Sequence, residues 1–284
     1  VVFSAREGVE AQSETVWRQA DRYKVARLAF INKLDREGAD FERVFNEIAE
    51  RLHANPVAVQ IPVGLGPAHF PNPFRGVIDL ITMKMLTFPK EKEGREVVES
   101  EIPEEFLAEA QIYRDTLLEK LYNFSNEMME LALQEQEIPV ELIRKAVREA
   151  TLAMQIQPVF CGAALQSIGI PPLLDAVKYY LPNPLDMPPI EGEAVEKKKK
   201  DKADVLKRSP DPEEPFCGLV FKVLPAKTGD IAWVRIYSGQ LKPNSRVLNP
   251  GKDVKENVSQ LWQIHATKRD RKSTRLNSSH IPLS

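Results

Sequence analysis

The chain has 284 residues, 43% of them hydrophobic, and 39 Lys and Arg against 41 Asp and Glu give a net charge of -2. That length suggests about two domains with enough apolar content for real cores, and the near-neutral balance argues against a whole-chain field for nucleic acid. Cys161 and Cys217 make neither a disulfide framework nor a metal cluster, and read as small core residues in a reducing compartment; no run of about eighteen apolar residues spans a membrane.

In chain order, Val1-Val2-Phe3 reads as a strand, followed by a helix on which Val16, Ala20 and Tyr23 recur at helical spacing. A second strand, Ala26-Arg27-Leu28-Ala29-Phe30-Ile31, ends at Asn32-Lys33-Leu34-Asp35. Phe41, Val44, Phe45, Ile48 and Leu52 then mark one face of a helix with Asp40 as its N-cap. Strand, helix, strand, helix implies a parallel sheet. From about 57 to 88, apolar runs broken by Pro62, Gly64, Gly66, Pro67, Pro71 and Pro73 predict short strands and loops. Helical registers follow, Phe106, Ala110, Tyr113, Leu117 and Leu121 in one, Val140, Ile143, Val147, Ala150 and Met154 in the next, which Pro139 opens; both stripes read as core-facing.

A last helix over about 172–180 should stop at Leu181-Pro182-Asn183-Pro184. Residues 183–215, with Pro188-Pro189, the run Lys197-Lys198-Lys199-Lys200 and Ser209-Pro210-Asp211-Pro212, read as an exposed linker. Asp201, Asp204, Glu213 and Glu214 offset the lysines and no aromatics interleave, so the run reads as solvated rather than RNA-binding. Beyond Pro215 about four strands are expected, over 216–224, 231–237, 245–248 and 258–265, with turns at Lys227-Thr228-Gly229-Asp230, Ser238-Gly239 and Pro250-Gly251.

The tetrapeptide Asn32-Lys33-Leu34-Asp35 carries the chemistry. Alone, such residues also make ordinary surface turns, but here they follow a buried-type parallel strand, and open α/β sheets bind ligands at the carboxyl ends of their strands. A carboxylate such as Asp35 accepts two hydrogen bonds at once, and guanine presents N1–H and its exocyclic amine side by side on one edge. Adenine has no such pair, and a carboxylate left unpaired by the wrong base costs about 1 to 3 kcal/mol. The Lys33 stem can lie along the base face, and the Asn32 amide can brace the loop and reach the purine's other edge.

These stretches resemble the translational GTPases, and elongation factor G among them. The matching segments are Val1-Val2-Phe3-Ser4-Ala5-Arg6-Glu7-Gly8-Val9-Glu10, Gln12-Ser13-Glu14-Thr15-Val16-Trp17-Arg18-Gln19-Ala20 and Asn32-Lys33-Leu34-Asp35-Arg36-Glu37-Gly38-Ala39-Asp40-Phe41. Further along, Arg75-Gly76-Val77-Ile78-Asp79-Leu80 with Met83-Lys84 looks like the family's insertion, and Pro158-Val159-Phe160-Cys161-Gly162-Ala163-Ala164 like its second base-contacting loop. The similarity runs from Val1 to about Asp270.

The resemblance implies an α/β fold: the C-terminal part of a P-loop-type GTPase domain over 1–182, a parallel sheet with helices carrying an inserted subdomain at about 57–150, then an incomplete small β-barrel over 216–269. It implies GTP and GDP as ligands, held by Asn32, Lys33 and Asp35 with the loop at Ala163 and Ala164 closing on the base. In the family the guanine oxygen is met by the backbone N–H aligned with Ala164. The family pattern there is Cys-Gly-Ser-Ala, so Ala163 removes a supporting hydroxyl. Expected partners are the ribosome, with tRNA and mRNA as the moved substrates; a cytoplasmic, bacterial-type monomer is implied, with an organelle left open.

The sequence contains no G-x-x-x-x-G-K-[ST] loop to cradle phosphates and hold Mg2+, and no Asp-x-Pro-Gly-His segment. His53, His69, His265 and His280 lie in unrelated contexts. The chain is therefore expected to carry base recognition without phosphate or Mg2+ ligands, to be an internal piece that lacks hydrolysis by itself, and to end in a non-native stretch over 270–284 that resembles a sequencing adapter. Competing readings are a recycling paralogue of elongation factor G, and a natural non-catalytic ribosome- or RNA-binding α/β-plus-barrel module.

Overall fold

A computed structural model describes residues 1–89, 96–193, 205–225, 230–265, 268–272 and 280–283. The chain divides into two units, Val1–Leu181 and Pro182–Ser284.

The first unit is built on four parallel strands, β1 (Val2–Ser4), β2 (Ala29–Asn32), β3 (Pro56–Ala58) and a later β8 (Gln157–Cys161), in the spatial order β1-β2-β8-β3. Helices α1 (Ala11–Arg22) and α2 (Phe41–Leu52) supply the first crossovers. A second, antiparallel sheet follows in meander order: β4 (Gln60–Val63), β5 (Gly76–Asp79), β6 (Lys84–Thr87) and β7 (Val98–Ser100). Helices α3 (Glu104–Tyr122), α4 (Asn126–Leu133) and α5 (Val140–Leu152) lead back to β8, and α6 (Ile170–Tyr180) closes the unit.

The apolar runs explain the layering. Strand β8 is buried along its whole length and β2 carries Ala29, Phe30 and Ile31 inside, as a sheet covered on both faces requires. Helix α2 buries Phe41, Val44, Ile48 and Leu52, and Asp40 caps it by accepting the Arg43 N–H at 2.9 Å. Phe106, Ala110, Leu117 and Leu121 line the inner face of α3, and Ile143, Val147 and Ala150 that of α5.

Three sequence expectations change in this unit. Val16 and Tyr23 are exposed, and Trp17 is the residue of α1 that is buried, where it packs 6.1 Å from Phe3 and beneath Arg27. The indole fills more space than a valine, which rotates the helix by about one position. The inserted antiparallel sheet begins at Gln60, since Pro56, Val57 and Ala58 pair with β8 and so belong to the parallel sheet. Met154 falls beyond the end of α5, in the left-handed turn leading to β8.

After a 3-10 turn at Pro184–Asp186, the regular elements described in the second unit are strands. Within the expected linker, β9 (Ile190–Glu193) and β10 (Val205–Arg208) form an antiparallel pair, with Lys207 Nζ 2.8 Å from Glu191. The lysine run at 197–200 and the turn at 227–229 lie outside the described residues. Then come β11 (Cys217–Leu224), β12 (Ile231–Ser238), β13 (Ser245–Asn249), β14 (Val254–Val258), β15 (Leu261–His265), β16 (Lys268–Lys272) and β17 (His280–Leu283). The described residues hold more strands than the four expected, in a five-stranded sheet, β11-β12-β17-β15-β16, and a separate β13-β14 hairpin, and they form no closed barrel. The hairpin arises because Asn249 accepts the Gly251 N–H and closes a turn, pairing 245–249 with a strand that the sequence pattern does not advertise. Strands β16 and β17 fall partly or wholly within 270–284, and β17 pairs with β12 through Arg235↔His280 to Ala232↔Leu283. Val234, Ile236, Leu241, Val258 and Leu261 make this unit's small core.

Candidate functional site

The carboxyl ends of three adjacent parallel strands, β1, β2 and β8, converge on one cleft. Its lining is Arg6, Glu7, Asn32, Lys33, Asp35, Arg36, Ala164 and Leu165, around a volume of about 360 Å³. This is where an open α/β sheet puts a ligand, because the loops leaving neighbouring strand ends splay apart there.

The loop after β2 is shaped by its backbone. Lys33 adopts a left-handed conformation at φ 65, so the chain turns sharply and Leu34 drops into the core, fully buried. Asn32 and Asp35 are thereby left on the cleft side. The Leu34 N–H donates to the Gly162 carbonyl at 3.3 Å, and the Gly162 N–H donates to the Ile31 carbonyl at 3.0 Å. Gly162 is required for this close approach: a Cβ there would sit 2.3 Å from the Ile168 carbonyl oxygen.

Side chains lock the two loops together. Asn32 Oδ1 accepts the Ala164 N–H at 2.9 Å, and Asp35 Oδ2 accepts from Gln166 Nε2 at 2.7 Å. The N–H that the family resemblance assigns to the guanine oxygen is thus engaged with Asn32 here. Ala163, the position lacking the family's hydroxyl, is buried behind the loop and does not line the cleft.

The third wall is the loop after β1. Lys33 Nζ lies 3.3 Å from Glu7, and the Ser4 hydroxyl donates to the same carboxylate; the Ser4 bond foremost, with Lys33 adding less, holds the exposed Glu7 carboxyl below its usual range against the opposing effect of burial. Behind this wall Glu47 of α2 accepts the Val9 N–H at 2.8 Å and pairs with Arg43, whose guanidinium donates to the Ala5 and Arg6 carbonyls. Burial alone would raise the Glu47 carboxyl, yet the Val9 and Arg43 bonds prevail and lower it. Gly8 at φ 76 leaves room for that carboxylate.

Four of the five sequence-derived residues, Asn32, Lys33, Asp35 and Ala164, therefore line one cleft, and Ala163 supports it from behind. Sequence reasoning missed Arg6, Glu7, Arg36 and Leu165 in the lining, and Gln166 behind it. The available signal was position: Arg6 and Glu7 follow the first strand as Lys33 follows the second, and Leu165 and Gln166 follow Ala164 directly. The cleft offers a carboxylate acceptor, an amide and an apolar lip at Leu165, a donor and acceptor set suited to a flat polar heterocycle. Among the described residues no group of three or more His, Cys, Asp or Glu could hold a metal ion. Among the described residues no helix is long and apolar enough to cross a membrane.

Comparison with known proteins gives the family. Residues 1–183 match the model of the elongation factor Tu GTP binding domain. Over 270 residues, 95% of the chain, it is 47% identical to elongation factor G 2 of Desulfotalea psychrophila and 44% identical to elongation factor G of Thermotoga maritima. The chain spans 37% of the length of each. A crystal structure of a Thermus thermophilus protein shares the fold at a TM-score of 0.75 and 21% identity, over 99% of this chain and 37% of that one. The chain belongs to the translational GTPases of the elongation factor Tu GTP-binding domain family, on the elongation factor G branch.

Proposed function

We propose that this chain is the guanine-recognising part of an elongation factor G that binds GTP and GDP, works on the ribosome and couples GTP hydrolysis to movement of tRNA and mRNA. The observation that carries the reading is the convergence of Asn32, Lys33, Asp35 and Ala164 on one cleft at the strand ends. Asp35 is its base reader, accepting the paired donors of the guanine edge, and Asn32 ties the second loop to the first. The elongation factor G names of the relatives support this reading, and movement of tRNA and mRNA, a bacterial cytoplasm and a monomeric state are part of the same proposal.

This polypeptide by itself does not hydrolyse GTP in this reading, because phosphoryl transfer depends on a phosphate loop and metal that its sequence does not encode. Base contacts alone correspond to an affinity on the order of 1 mM, about 4 kcal/mol of binding. Saturation-transfer NMR of the 284-residue chain tests this. Guanosine is expected to give transfer at millimolar concentration, with adenosine giving none; equal transfer from both nucleosides would overturn the assignment of the cleft.

A further inference from the structure

We infer that Gln166 is a positioning residue for guanine selectivity, fixing the plane of the Asp35 carboxylate from outside the cleft so that Oδ1 and the remaining lone pair of Oδ2 face the paired donors of the base edge. The inference rests on the reading of the cleft given above. Gln166 Nε2 donates to Asp35 Oδ2 at 2.7 Å across 131 residues of sequence. Arg36 Nε approaches the same oxygen, at 4.0 Å, so both neighbours of this carboxylate fall on Oδ2 and leave Oδ1 without a partner among the described residues. The Asp35 side chain is only 13% exposed, so a fixed orientation there is a choice between few rotamers rather than one solvated state among many.

The turn that carries Gln166 is itself fixed. Ala163 and Ile168 exchange backbone hydrogen bonds, at 3.0 and 3.2 Å, and Ser167 takes a left-handed conformation at φ 59 that reverses the chain. Residues 164–166 form the short 3-10 turn between them. Ala164 and Leu165 line the cleft and Gln166 does not, so the amide meets Asp35 without occupying the place of a base. Position 163 has only a methyl group, which leaves Gln166 as the side-chain donor that this loop supplies to Asp35.

A carboxylate pinned by one oxygen presents a defined plane to an incoming pair of donors. One that rotates freely still meets a single N–H but loses part of the advantage of the second. Guanosine carries both donors and inosine lacks the exocyclic amine, so their affinity ratio reports this geometry, whereas a change in loop stability alone moves both ligands equally.

The test measures guanosine and inosine affinities by NMR titration of the 284-residue chain and of Gln166→Met and Gln166→Lys. Met keeps the length and removes the donor; Lys keeps a donor. Gln166→Met is expected to weaken guanosine about three- to tenfold, in line with loss of one hydrogen bond, and to shrink the guanosine-to-inosine ratio, while Gln166→Lys retains it. An unchanged ratio in Gln166→Met, whether affinities hold or fall together, would overturn the role of Gln166 while leaving the cleft assignment intact. Absence of guanosine binding in the unmodified chain would remove the cleft assignment, and this inference with it.

Discussion

Replacing Glu47 with Gln tests how the cleft wall is held. Glu47 is 23% exposed and its two oxygens serve different partners: Oε2 accepts the Val9 N–H at 2.8 Å, and Oε1 meets Arg43, which in turn grips the Ala5 and Arg6 carbonyls. The Gln side chain keeps one acceptor but removes the charge and turns an N–H toward either an amide donor or a guanidinium. Loss of one hydrogen bond to a charged group costs about 1.5–3 kcal/mol, taken toward the lower end because the pair is partly solvated. In a unit of this size each 1 kcal/mol moves the melting temperature by roughly 2–4 °C, so a drop of about 3–8 °C is expected at pH 7. The pH dependence fixes the cause. The folded-state value lies below the ordinary 4.5, so this contribution is full above that pH and is lost as pH falls through the lower folded value. Scanning calorimetry of both proteins from pH 7 to about 3 should show a gap that is constant above about 5 and then closes. Equal melting temperatures at pH 7, or a gap that persists undiminished in acid, would refute the role given to Glu47.

Other perturbations probe independent parts of the account. Gly8→Ala should cost about 1–3 kcal/mol, because the new Cβ meets Glu47 Oε2 at 2.2 Å in a left-handed backbone; a melting temperature within a degree of the parent would contradict it. Gln60 is fully buried and neither polar atom of its carboxamide has a partner among the described residues, so Gln60→Met should raise stability by about 1 kcal/mol in urea unfolding, and destabilisation would show that the amide is satisfied. Asn32→Ala removes the acceptor of the Ala164 N–H and should lower both thermal stability, by about 1 kcal/mol, and guanosine affinity; a loss of neither would mean the loops are held apart from this bond.

What the sequence made legible was whatever depends on local pattern. The period of α2 and its Asp40 cap, the buried strand before Asn32 and the stop at Leu181-Pro182 all follow from residues within a few positions of one another. Trp17 was missed because a single large side chain outweighed the regular spacing of its smaller neighbours. The β13-β14 hairpin was missed because Val254 to Val258 is mostly exposed and its pairing is set by the Asn249 turn rather than by an apolar alternation. In the cleft, Asn32, Lys33 and Asp35 carry their chemistry in side chains that sequence displays. Gln166 meets Asp35 131 residues away and Glu47 meets the Val9 N–H 38 residues away, and no local pattern encodes such a distance.

The most direct test of the central claim, that Asp35 reads guanine, is a comparison of guanosine and xanthosine binding to the chain and to Asp35→Asn, by NMR titration. Xanthine carries a carbonyl where guanine carries its amine, and an asparagine side chain offers a donor to meet it. The account predicts that Asp35→Asn weakens guanosine and reverses the preference toward xanthosine. Unchanged guanosine affinity in Asp35→Asn would contradict it and leave the cleft without its base reader.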